Sequence, residues 1–248
     1  SLTNCLLLPP NTFSVQLNTV LELKTNNETQ YYWVQDVLII NPQNETLAPL
    51  VNIWNMSSAR VVMNPLYVIG RGLIINNETY AYMGNWTQYQ MPLSISLSIT
   101  TNRTINGFPE VLLGYSMNGV NTLIDNATLL LSPSWGPYLV VNGSSYSPLG
   151  YLEDAELVIG GPGCGATVIA RELNMSMALY YRDKVGNLIP VPSTWSFGSD
   201  TGETVVNAKD IAVSPGHVHI TTGYEYLGPL INSDYLAFLI LNDYLVDN

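Results

Sequence analysis

From residue 93 to residue 100 apolar and polar side chains alternate without a break. Leu93, Ile95, Leu97 and Ile99 are separated by Ser94, Ser96, Ser98 and Thr100. A period of two places one row of side chains in a core and the other in water, as in a half-buried strand. Similar runs are Val15 to Leu23, Tyr31 to Ile40, Val61 to Ile69, Thr122 to Leu131, Tyr138 to Val141, Ala155 to Ile159, Leu173 to Tyr181, Thr204 to Val213 and Tyr235 to Leu241. Turn signals separate them: Asn76-Asn77, Asn106-Gly107, Asn118-Gly119, Asn142-Gly143, Gly186-Asn187 and Ser214-Pro215-Gly216. Helical periodicity does not recur. The pattern predicts an all-β protein, an antiparallel β-sandwich or barrel-like sheets with little helix. The Ser132-Pro133-Ser134-Trp135-Gly136-Pro137 segment is the best seam. If there are two β lobes they comprise residues 1–135 and 136–248, though one continuous β domain fits the same pattern.

Charge changes this picture more than size does. Only 11% of the 248 residues are Asp, Glu, Lys or Arg, where an ordinary domain has roughly 25%. Eight Lys and Arg face 19 Asp and Glu, for a net charge of -11. So few cations exclude a nucleic-acid partner and binding to an anionic membrane surface. No stretch approaches the ~18 consecutive apolar residues of a membrane span. The chain has no basic, apolar leader, so a secretory signal is expected to have been removed. Sequons at Asn27, Asn44, Asn55, Asn77, Asn85, Asn102, Asn126, Asn142 and Asn174 point to an exported, N-glycosylated protein, extracellular or at the cell surface. Cys5 and Cys164, the only cysteines, read first as one disulfide and otherwise as two unrelated buried thiols. The low charge suits acid: a fold with few ion pairs loses little when carboxylates protonate.

With no phosphate loop and no Cys-His arrangement, carboxylates are the candidates for chemistry. His217 and His219 alternate onto one strand face but lack the further ligands of a metal site. Asp36 shares a strand face with Tyr32, Val34, Leu38 and Ile40, where desolvation raises a carboxyl pKa; the plainer role is a hydrogen-bonded structural Asp. Asp154 and Glu156 share a face at roughly 6.5 to 7 Å along the strand. The Gly160-Gly161-Pro162-Gly163 run after them allows close backbone approach, to a substrate or in a tight turn. Asp200 lies in Asp200-Thr201-Gly202, the active-site triplet of pepsin-like proteases, but the triplet occurs once and excludes a pepsin-like monomer.

Longer segments carry a resemblance. Val15-Gln16-Leu17-Asn18-Thr19-Val20-Leu21, Tyr32-Trp33-Val34-Gln35-Asp36-Val37, Asn52-Ile53-Trp54-Asn55-Met56-Ser57, Asp154-Ala155-Glu156-Leu157-Val158-Ile159-Gly160-Gly161, Leu179-Tyr180-Tyr181, Pro190-Val191-Pro192-Ser193 and Phe197-Gly198-Ser199-Asp200-Thr201-Gly202-Glu203 stand in the order and approximate spacing of thermopsin. From about Val15 to about Asn207 the chain resembles the thermopsin family, secreted acid endopeptidases of thermoacidophilic archaea. The resemblance implies cofactor-free hydrolysis of protein or peptide substrates in hot acid, with carboxylates activating a water. The matching acids are Asp36, Asp154, Glu156, Asp200 and Glu203; Glu153 is not a motif position. Asp36 with Asp154 or Glu156 is the expected coupled pair, and Asp200 and Glu203 follow as loop acids. Two departures stand out. Family members carry a long region before the Gln-Leu-Asn strand, and Val51 stands where they tend to have an acid. The rival reading is a non-catalytic cell-surface or filament glycoprotein that reuses the fold and assembles through an exposed sheet edge.

Overall fold

The computed structural model describes residues 8–26, 28–57, 63, 67–131, 137–140, 155–191, 195–196, 203–223 and 228–229. The predicted run Tyr235 to Leu241, the Asn142-Gly143 turn and most of Val61 to Ile69 lie outside them. Among the described residues there is no α-helix, and the protein is all-β. The chain divides into two compact units, Ser1–Val158 and Ile159–Asn248.

The first unit contains β1 (Phe13–Lys24), β2 (Thr29–Asn41), β3 (Thr46–Asn55), β4 (Val68–Ile69), β5 (Leu73–Ile75), β6 (Thr79–Met83), β7 (Thr87–Gln88), β8 (Ile95–Arg103), β9 (Pro109–Met117), β10 (Val120–Leu129) and β11 (Pro137–Val140). β12 (Ala155–Gly160) runs across the division. One sheet has the order β11-β1-β2-β3-β6-β5, with β12 also on β1 and β7 on β3. The other has the order β4-β10-β9-β8. β11, just past the proline-rich segment, is thus paired with β1, antiparallel from Val20↔Val140 to Leu23↔Pro137.

Strand β2 is buried on both faces from Tyr32 to Asn41, which its near-continuous apolar sequence permits. Leu17, Asp36 and Val51 are register partners on β1, β2 and β3, and so share a face. That face turns toward the four-stranded sheet. Val34, Leu38, Val51 and Ile53 from it, with Val111 and Leu113 from β9, are fully buried, each contributing roughly 1.5–3 kcal/mol. The hairpin turns are those the sequence predicts. Asn76 and Asn77 adopt φ 52 and 55, and Asn118 and Gly119 adopt φ 49 and 84, the double positive φ that a two-residue turn requires.

A polar cluster links the two sheets. The Tyr80 hydroxyl donates to Asp125 Oδ2, while Asp125 Oδ1 accepts the N–H groups of Arg71 (2.9 Å) and Asn126 (2.8 Å). The same Tyr80 oxygen accepts the Gly72 N–H at 2.8 Å. Burial, followed by the Asp125 hydrogen bond, pushes the phenol pKa up. The chain passes so close that a Cβ on Gly70 would lie 2.0 Å from the Tyr80 oxygen. Tyr80→Phe leaves the buried Asp125 oxygen and the Gly72 N–H without this partner, and is expected to cost ~1–3 kcal/mol. Chemical denaturation measures it; a loss below about 0.5 kcal/mol, the level of an ordinary surface change, would show that the cluster does not lock the sheets.

The second unit is built from short pairings. β13 (Thr167–Ile169) runs parallel to β18 (Thr204–Val206). β14 (Asn174–Ala178), β20 (His217–Thr222) and β19 (Ala208–Ser214) form a three-stranded antiparallel sheet. β15 (Tyr180–Arg182) pairs with β16 (Leu188–Pro190), and β17 (Trp195–Ser196) with β21 (Gly228–Pro229). The predicted run Leu173 to Tyr181 is therefore split between β14 and β15. Thr204 to Val213 is split at Asn207, whose φ of 66 breaks the extended backbone.

Candidate functional site

Polar residues in a buried strand need partners, and β1 carries Ser14, Gln16 and Asn18 at alternate positions on one face. Asn18 stands opposite Gln35, which stands opposite Asn52. Because Leu17, Asp36 and Val51 are each one residue removed, this row occupies the face of the sheet opposite to Asp36. Gln16 Nε2 donates to Ser14 Oγ at 2.9 Å, and Gln16 Oε1 accepts Asn18 Nδ2 at 3.2 Å and Gln35 Nε2 at 3.3 Å. Asn18 Nδ2 also donates to Glu156 Oε1 at 3.0 Å. The row ends on a half-buried carboxylate delivered by β12. Asn18 Oδ1 is buried without a hydrogen-bond partner.

Asp36 sits in a different environment. It is completely buried between the two sheets. Its Oδ2 accepts the Ser98 N–H at 3.1 Å, and the Gly114 N–H, from the register partner of Ser98, supports the same carboxyl. Oδ1 has no partner. Burial pushes this carboxyl well above its ordinary pKa, and the two backbone donors oppose that only in part. Of the two expected partners of Asp36, Glu156 is on the other side of the sheet, and Asp154 lies outside the described residues.

Of the other acids singled out by the sequence, Asp154 and Asp200 lie outside the described residues. Glu203 is half-buried in the second unit, where its Oε1 accepts the Gly165 N–H at 3.3 Å. Gly160 and Gly161 serve close approach within that unit. A Cβ on Gly160 would meet Glu203 at 3.1 Å, and one on Gly161 would meet the Ala166 carbonyl oxygen at 2.1 Å. His219 Nδ1 lies 3.4 Å from Ser176 Oγ. Cys164 is not a free thiol, and Cys5 is outside the described residues.

The residues of the amide row come from segments far apart in the chain: Gln16 and Asn18 from one, Gln35 from the next, Asn52 from a third and Glu156 from a fourth. The family model of thermopsin matches residues 1–208. This chain belongs to the thermopsin family. The thermopsin of Sulfolobus acidocaldarius is 32% identical to it over 208 residues, 80% of this chain and 61% of that protein. The chain thus spans about three fifths of the length of the thermopsin it matches. No solved structure matches it. Four of the thermopsin-like segments thus place amides and the Glu156 carboxylate on a single face. Sequence reasoning weighed only the acids in those segments and passed over the amides. The signal was there in Ser14, Gln16 and Asn18, three polar residues alternating along a strand whose other face is apolar.

Proposed function

We propose that this chain is an exported acid endopeptidase of the thermopsin type, with Glu156 as the group that activates water. The reading rests on one observation: a buried row of amides from two thermopsin-like segments, Gln16, Asn18 and Gln35, hydrogen-bonds through Asn18 to the carboxylate of a third, Glu156, which is half-buried and so open to solvent. Asp36, completely buried, is not open in that way. In the proposed reaction ionised Glu156 accepts a proton from a water molecule as its oxygen bonds to the peptide carbonyl carbon. The carbonyl electron pair moves onto its oxygen, giving a tetrahedral intermediate. Glu156 then returns the proton to the amide nitrogen, the C–N bond breaks with its electron pair going to nitrogen, and the carbonyl re-forms as a carboxylic acid. Water is the only co-reactant. Asp154, two residues before Glu156 in the sequence, is the second acid we assign to the reaction, and Asp200 and Glu203 are the further candidates that the family likeness supplies.

Export is supported by the sequons. Asn44, Asn77, Asn85, Asn102, Asn126 and Asn174 are exposed and Asn55 is half-buried, so an oligosaccharide has access at each; Asn27 and Asn142 lie outside the described residues. In the same setting Cys164 pairs with Cys5 as a disulfide, which would contribute roughly 3–5 kcal/mol. The test is incubation of the purified chain with a denatured protein between about pH 1 and pH 5, followed by mass spectrometry of the products. Internal peptide cleavage is expected. No cleavage anywhere in that range would overturn the assignment and favour a non-catalytic surface glycoprotein assembling through its sheet edges.

A further inference from the structure

We propose that Asn18 is the positioning residue of Glu156 and sets the acid limit of the reaction. This rests on Glu156 being the proton acceptor. Asn18 donates in two directions, back to Gln16 and outward to Glu156, from the same nitrogen. Gln16 gives its Nε2 to Ser14, which turns its Oε1 toward Asn18 and Gln35; Asn18 must then present Nδ2, and the same nitrogen reaches Glu156. The orientation of the Asn18 amide is thus set by the two acceptors that take the same nitrogen, Gln16 Oε1 and the Glu156 carboxylate. Ser14, Gln16, Asn18 and Gln35 are all buried, so the donor is held in place.

The other end of the same amide shows what this arrangement costs. Asn18 Oδ1 is buried with no partner, a condition that lowers stability. A side chain present for packing alone would avoid it. What Asn18 gains is the contact with Glu156. A donor held on one oxygen favours the ionised carboxylate, the form that takes a proton from water. Other titratable groups are placed where they do not replace it. On the same face of β1 stands Glu22, paired with Lys24 at 3.1 Å; on that face of β2 stands Tyr31; Asp36 is on the opposite face. Asp154, two residues before Glu156, lies outside the described residues.

The experiment is the pH profile of kcat/KM for one cleaved peptide, measured for the wild type, Asn18→Ala and Asn18→Asp, with thermal melts of each. Loss of the donor in Asn18→Ala is expected to move the acidic limb up by about one pH unit. Asn18→Asp moves it further, because a second carboxylate beside Glu156 disfavours its ionised form. Gln16→Met, which releases Asn18 from the row without touching Glu156, moves it in the same direction by less and serves if the Asn18 variants do not fold. Folded variants whose acidic limb coincides with the wild type would overturn the role of Asn18. The underlying assignment fails separately: a wild-type chain that cleaves nothing, or a Glu156→Gln variant that cleaves as well as the wild type, removes the reaction or its base whatever Asn18 does.

Discussion

Glu156→Gln is expected to lower kcat/KM for peptide cleavage by roughly 10²- to 10⁴-fold, the range that a positioned general base contributes. The glutamine is almost the same shape. One of its amide atoms still accepts from Asn18 Nδ2, so the buried row Ser14, Gln16, Asn18 and Gln35 keeps its partners and the fold should be unaffected. What is lost is the ability to take a proton. A binding defect would instead appear in KM with kcat preserved, and would count against the assignment. Initial rates at the wild-type optimum, with a melting curve to show that the variant is folded, measure the effect. Activity within a factor of a few of the wild type would return the search to Asp154, Asp200 and Glu203.

The second large effect is expected at Asp36, in stability and not in turnover. Its folded-state pKa is raised well above the ordinary 3.8, first by burial, with the Ser98 and Gly114 N–H groups pulling the other way. The folded state therefore holds this proton over a pH range in which the unfolded chain has released it. The stabilisation is fully present below about pH 4 and is lost progressively as pH rises toward the folded-state value, at ~1.4 kcal/mol per pH unit in that interval. Asparagine does not titrate, and its carbonyl oxygen accepts the same backbone donors. The melting temperature of the wild type should thus fall relative to Asp36→Asn as pH rises from 4 to 7, by ~2–4 °C for each kcal/mol in a chain of this size. Below pH 4 the two should run close together. A gap between the two curves that does not change with pH would show that Asp36 is ionised in the folded protein. Cleavage by the folded variant at acid pH should persist, since the side chain faces away from Glu156.

The strands on either side of these residues were legible because their apolar residues alternate or, in β2, run almost without a break. β1, β2, β8, β10 and β12 all coincide with alternating runs to within a few residues. β3 was not, and Pro49 is the reason. Proline inside a strand normally marks an edge, yet β3 is flanked by β2 on one side and by β6 and β7 on the other. The Pro49 carbonyl accepts the Gly84 N–H at 2.8 Å, just past the end of β6. Its missing N–H points to that same side, where the ladder is already breaking, so nothing is lost. Asp125 was overlooked for a related reason: a register shift between Leu123 and Asp125 turns two successive residues, Ile124 and Asp125, into the interior, which strict alternation forbids. The candidate site was half legible. Alternation put Asp36 among apolar neighbours, as found, but no local pattern tells which strand will pair with the edge of β1, and that pairing decides which carboxylate acquires the amide partner.

Asn18 and Glu156 are 138 residues apart in the chain, and they meet only when β12 docks on β1. Strand pairings of this span are slow to form, because the intervening chain must be ordered first. During synthesis the first strand therefore waits for the twelfth, and in the meantime neither Asn18 nor Glu156 has the other as its counterpart. A chain assembled in this way cannot present Glu156 with its amide partner until both strands are in place.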